Sequence, residues 1–149
     1  MNSIARIILA FLLYMISMII SLIALPSIFT QSYILAYIRP YQLMAFADLL
    51  IALSFLLIYL ITNARTPLYV TELALAALIP INYLDIYTRM VQGVHIALLP
   101  LFIRIEGPSG SSLALDLGQI SILVLAILYI RNAMGRKPRD SSVQNTLNP

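Results

Sequence analysis

Four long stretches of the chain are almost free of charge. Ile7 to Leu25 contains no ionisable group, and at about 1.5 Å of rise per residue a helix of that length covers a hydrocarbon core of about 30 Å. Tyr41 to Thr62 is a second run, interrupted only by Asp48. Leu68 to Leu84 is a third, with Glu72 in its first turns and Pro80 near its end. Leu113 to Ile130 is the fourth, with Asp116 near its start and Tyr129 near its end. Arg6 ahead of an apolar run is also how a secretory leader begins. The run exceeds the apolar region of about 7 to 15 residues found in such leaders, and Leu25-Pro26-Ser27 is a poor cleavage sequence, so the segment reads as a retained helix.

The connectors have their own signatures. Pro26 to Pro40 combines Thr30, Gln31, Ser32 and Arg39 with Tyr33 and Tyr37, a mixture suited to the headgroup layer, where tyrosine keeps its ring in apolar surroundings and its hydroxyl in water. Asn63 to Pro67 is a short turn. Pro67 suits the first turn of a helix, where its missing N–H would have no partner in any case. Residues 132 to 149 are polar, basic and rich in Ser, Asn and Pro, the composition of a disordered tail.

The segment from Met90 to Ile105 is ambiguous. The uncharged residues between Arg89 and Arg104 make about 21 Å of helix, too short to cross unaided, and they include Gly93 and Pro100. Val91, Val94, Leu98, Leu101, Phe102 and Ile105 form a stripe at helical spacing, while Ile96, Leu99 and Ile103 make the other side apolar too. The expectation is a re-entrant or interfacial helix. The fold class is then all-α: a polytopic transmembrane bundle of four helices over residues 1–131, with five helices as the alternative, followed by the tail at 132–149.

Lys and Arg in the loops orient such a bundle. Four helices with both termini cytoplasmic place Arg6, Arg65, Arg131, Arg136, Lys137 and Arg139 inside, and Arg39, Arg89 and Arg104 outside. Five helices exchange Arg6 and Arg65 for Arg39 and Arg89 and give the same split. Charge does not decide between them, and span length favours four.

Composition makes lipid the solvent: the chain is 61% hydrophobic and 10% charged, against about 25% charged in a soluble domain. The net charge of +3 is scattered among loops and forms no stripe along which a phosphate backbone could lie, which argues against nucleic acid as a partner. With no cysteine, thiolate metal sites and disulfides are excluded. The single histidine, His95, rules out bis-histidine haem ligation within one chain. No metal, cofactor or catalytic motif is expected, and Gly107-Pro108-Ser109-Gly110 lacks the Lys of a phosphate-cradling loop. The basic cluster around Arg131 to Arg139 reads as a topological anchor near anionic lipid.

The positions where function is expected are therefore the ionisable groups in and beside the spans. Asp48 lies about 10 Å deep by helical rise, where an ionised carboxylate costs about 2.5 to 3.5 kcal/mol. At the same end, Asp85, Asp116, Arg39, Arg89, His95 and Arg104 are expected either to form a proton or cation entry site or to pair structurally, with Asp85 and Arg89 at i,i+4 spacing. Glu72 lies alone towards the other side, near a helix N-terminus whose dipole favours its charge. Helix packing is expected through small residues, which let backbones approach closely: Ser17 and Ser21 in the first span, and Ala114, Gly118 and Ser121 in the last.

These features suit a non-catalytic accessory or assembly subunit of a larger membrane complex, respiratory or transport. Its expected partners are the bilayer and other membrane subunits or copies of itself. The alternative is a small ion-coupled transporter or channel-like homo-oligomer using the intramembrane acids. A membrane enzyme acting on lipids ranks third.

Overall fold

The structure is a computed structural model that describes residues 2–29, 39–107 and 110–134. Its elements are helices α1 (Ser3–Phe29), α2 (Pro40–Thr62) and α3 (Arg65–Val91), strands β1 (His95–Leu99), β2 (Phe102–Gly107) and β3 (Gly110–Leu115), and helix α4 (Leu117–Met134). All four helices are long and apolar enough to cross a membrane. The connector tyrosines Tyr33 and Tyr37 and the basic residues Arg136, Lys137 and Arg139 lie outside the described residues.

Helix ends follow from local chemistry. Pro40 opens α2 with its preset backbone. Asn63 closes it in the left-handed conformation, at φ 50°, donating its N–H to Tyr59 O at 2.8 Å. Pro67 stands in the first turn of α3, and its carbonyl accepts from Thr71 Oγ1 at 3.0 Å. Where the sequence suggests an exit after Leu84, α3 continues to Val91. Asp85 and Arg89 pair along its last turns, and Arg89 complements the partial negative charge of the helix end. Gly93, at φ 83°, takes the chain out. At the other end of the chain α4 reaches Met134, so Asn132 to Met134 are helical and not part of a tail.

The expectation for residues 90–105 is overturned. This segment and the residues after it fold into an antiparallel meander in the order β1-β2-β3, so the fold is not purely helical and there is no fifth span among the described residues. Leu99 pairs with Phe102 across a turn at Pro100–Leu101, and Gly107 pairs with Gly110. Proline presets the first central position of such a turn, and the second needs positive φ; Leu101 supplies it at φ 64°. The alternation Ile103-Arg104-Ile105-Glu106 has the two-residue period of a strand with two different faces. Ile103 and Ile105, with Ala114 across the ladder, turn towards the helices, and Phe102, Arg104 and Glu106 turn away.

α3 is the central helix. α1, α2 and α4 all pack on it and α1 also packs on α2, while α2 and α4 meet through side chains, with the Arg131 guanidinium 5.9 Å from the centre of the Tyr59 ring. The main core holds Ala10, Ile51, Ala52, Leu68, Val70, Ala74, Leu75 and Leu128. Ala10 is fully buried, Ser17 and Ser21 are half-buried, and the rest of α1 turns most of its large side chains outward. Ala114 belongs to β3, so the small-residue step from Ala114 to Gly118 is not a helix face. Gly118 and Ser121, which are on α4, are both buried. A Cβ on Gly118 would stand 3.0 Å from Tyr83 Cε2, so the missing side chain sets how closely α4 approaches α3.

Ile7 shares a cavity wall with Tyr69 and Glu72, and Glu72 shares another with Tyr129 and Asn132. The start of α1, the α2–α3 turn and the end of α4 therefore lie at one end of the bundle. Arg39, Arg89 and the sheet lie at the other.

Candidate functional site

The sheet end of the bundle holds most of the polar chemistry. Asp116, fully buried, is the residue before α4. Its Oδ1 accepts from the backbone N–H of Gln119 at 3.1 Å and from Asn82 Nδ2 of α3 at 2.9 Å, and its Oδ2 accepts from Gln119 Nε2 at 2.8 Å. This is a helix cap extended to a second helix. Gln119 then reaches the β1–β2 turn, donating to Leu99 O at 3.0 Å and accepting from Leu101 N at 2.9 Å. The Asp116 N–H donates to Leu101 O at 2.9 Å. The network fastens α3, α4 and the turn together and holds Leu101 in its strained conformation.

One turn further along α3 from Asn82 lies the ion pair. Arg89 Nε and Nη2 both donate to Asp85 Oδ2, at 2.8 and 2.7 Å. Asp85 is 8% exposed, and its Oδ1 is buried with no partner among the described residues. Asp85 and Arg89 line a cavity of about 250 Å³ with Gln42, Asn82, Ile103 and Ile105, roofed by the sheet and floored by α2, α3 and the start of α4. Gln42 also accepts from the Arg39 N–H at 3.1 Å, which fixes the entry to α2. Arg39 Nη1 is buried and unpartnered among the described residues.

The remaining ionisable residues do not join this group. Asp48 is fully buried between α1 and α2, and its Oδ1 accepts from Tyr14 Oη at 2.8 Å. His95 is exposed at the start of β1, opposite Glu106 in the ladder. Arg104 pairs with Glu106 at 3.1 Å on the outward face, both half-exposed. Glu72 is half-buried at the far end, in a cavity of about 230 Å³ with Arg65, Tyr129 and Asn132. The acids and bases at the sheet end thus divide into separate arrangements: the Asp116 cap, the Asp85–Arg89 pair and the Arg104–Glu106 pair. Among the described residues no three His, Asp or Glu side chains are grouped to hold a metal ion.

Four participants carry no acidic or basic signal in the sequence: Tyr14, Gln42, Asn82 and Gln119. Gln119 was open to detection, because Asp followed three residues later by Gln is a capping signature. Tyr14 and Asn82 each act across 34 residues of chain, and no local pattern marks their partners. Comparison with protein families, curated proteins and solved structures returns no match.

Proposed function

We propose that the chain is a non-catalytic accessory subunit of a larger membrane assembly. It is held in the cell membrane by its four helices with both termini in the cytoplasm, and it joins a partner subunit through the outer face of its sheet. The observation that carries this reading is the character of that face. Leu99, Phe102 and Leu113 lie on the side of the ladder opposite the cavity and remain 40%, 38% and 61% exposed, with Leu101 of the adjoining turn at 40%. These residues lie beside the last turns of α3 and face away from the helices, and an exposed apolar patch rimmed by polar residues marks an interaction surface. The flanking Arg104, Glu106 and His95 supply the polar rim such surfaces have.

The test is native mass spectrometry of the protein extracted gently from its own membranes. The expected result is a defined larger assembly that releases this chain when Phe102 and Leu113 are both changed to Glu, with its helical content unchanged. A monodisperse species containing no other polypeptide would refute the reading.

A second reading, a small ion-coupled homo-oligomer, is favoured by one observation: Asp48 Oδ2 is buried within the bundle without a partner among the described residues. Ion flux in proteoliposomes that is unchanged by Asp48→Asn and Asp116→Asn would exclude it.

A further inference from the structure

Arg65, Leu68, Tyr69 and Glu72 recur at three- and four-residue steps and share one face of α3, and Tyr129, Asn132 and Ala133 share a face of α4 by the same spacing. The two faces line a cavity of about 230 Å³ at the end of the bundle away from the sheet. Glu72 is the unusual group in it. The ion pairs among the described residues, Asp85–Arg89 and Arg104–Glu106, lie at the other end, and no hydrogen bond or ion pair among the described residues reaches the Glu72 carboxylate. Arg131 of the same end is turned to α2, against the Tyr59 ring.

The carboxylate is also open. Glu72 is half-buried, and neither of its oxygens is among the unpartnered side-chain atoms sealed from water, so an occupant of the cavity can touch them. The neighbouring hollow that Glu72 shares with Ile7, Tyr69 and Leu73 is walled almost wholly by apolar atoms, which assigns the carboxylate to the cavity between α3 and α4. An acid about two helical turns into a span, unpaired and accessible, is a binding group without its cation.

The same cavity holds a cation. Arg65 stands about 10.5 Å nearer the aqueous side by helical rise, and it too has no ion pair among the described residues. Tyr69 and Tyr129 bring aromatic rings, which attract ammonium groups, and Asn132 offers an amide. A carboxylate at the inner end and a guanidinium at the mouth suit a molecule that carries both charges. Their order decides which kind. A phospholipid of that leaflet has its acyl chains innermost, then its phosphate, then any ammonium, so its phosphate would face Glu72 and its ammonium Arg65, with repulsion at both ends. A molecule that enters from water amine first meets attraction at both.

We infer that this cavity binds a small zwitterion from the aqueous side on which the termini lie, its ammonium against Glu72 and its acid group against Arg65. The rise of about 10.5 Å, less about 3 Å of contact at each end, leaves about 4 to 5 Å between the charges of the ligand. That is the spacing in a short amino acid. The volume agrees, since a void of about 150 Å³ takes up benzene. The site lies opposite the sheet and stands whether or not the outer face of the sheet meets a partner.

The test uses the full chain in nanodiscs of phosphatidylglycerol, a lipid without an amine. The common amino acids, β-alanine and γ-aminobutyrate are titrated by saturation-transfer NMR, with ethylamine and acetate as controls that carry one charge each. The expected result is an amino acid bound about tenfold or more tighter than either control, as loss of a hydrogen bond to a charged group implies. Glu72→Gln and Arg65→Gln should each weaken it by a similar factor. Ala133→Cys, an exposed position in the cavity wall of a chain with no native thiol, leaves both charges in place and should be alkylated more slowly when that amino acid is present. No amino acid bound above the controls, binding unchanged by Glu72→Gln, or alkylation of Ala133→Cys at the same rate with and without the amino acid would overturn the inference. So would retention of phosphatidylethanolamine through Glu72 in nanodiscs that contain it, because that outcome gives the site to a lipid head.

Discussion

Replacing Asp116 by Ala tests the idea that this acid is an architectural cap. The change removes three side-chain hydrogen bonds, two from Gln119 and one from Asn82. Loss of an N-cap costs about 0.5 to 2 kcal/mol. Asn82 is itself buried, at 9% exposure, and stranding its amide adds about 1 to 3 kcal/mol. The Gln119 side chain retains its bonds to Leu99 O and Leu101 N, which limits the damage, and the sum is about 2 to 4 kcal/mol. Asp116→Asn keeps an acceptor for Asn82 and for the Gln119 N–H but turns an N–H₂ towards Gln119 Nε2, so it should fall between Ala and the parent. Reversible unfolding in mixed micelles measures the stability, and hydrogen exchange at residues 95–115 reports whether the sheet detaches from α4. The reasoning fails if Asp116→Ala leaves stability and sheet protection at the parent values.

Further outcomes follow from single contacts. Gly118→Ala places a methyl 3.0 Å from Tyr83 Cε2, 3.1 Å from Asn82 Nδ2 and 3.2 Å from Asp116 Oδ1, and should destabilise by about 1 to 3 kcal/mol; unchanged thermal unfolding would contradict the close α3–α4 approach. Tyr14→Phe removes the donor to a buried carboxyl and should cost about 1 to 3 kcal/mol, seen as faster exchange in α1. Asp48→Asn, which retains an acceptor for Tyr14, should cost less than Tyr14→Phe, and the opposite order would refute the pairing. Leu101→Gly relieves a left-handed backbone worth about 1 to 2 kcal/mol and should slow exchange in the β1–β2 turn; faster exchange there would show that the leucine side chain matters more than its backbone.

The helices were legible because long uncharged runs have one stable solution in lipid, with every backbone bond made internally. The sheet was missed for an identifiable reason. Between Val91 and Ile105 the chain carries so many apolar residues that a helical stripe can be drawn through them, and it obscures the alternation Ile103-Arg104-Ile105-Glu106, which has a period of two. Pro100 and the glycines at 107 and 110 are turn-forming residues, but a helix expected through Pro100 leaves no place for a hairpin there.

The site was legible only where its geometry is local. The four-residue spacing of Asp85 and Arg89 is enough to place the pair on one helix face. Asp116 and Gln119 have capping spacing, but an acid beside a span invites a functional reading first. The Tyr14–Asp48 and Asn82–Asp116 bonds depend on which helices become neighbours and how each is rotated. Periodicity does not fix rotation in helices that are apolar nearly all round. The cavity under the sheet needed the strands themselves, since Ile103, Ile105 and Ala114 form its roof.

Side-specific labelling of single cysteines tests the whole arrangement most directly, because the chain has no native thiol to remove. Cysteines at the exposed positions Asn2, Ala64, Ala97 and Ala133 sample both termini, the α2–α3 turn and the sheet. Four spans capped by a sheet require an impermeant maleimide to reach positions 2, 64 and 133 from one side of the membrane and position 97 from the other. Modification of positions 64 and 97 from the same side, or of 2 and 133 from opposite sides, would contradict the account.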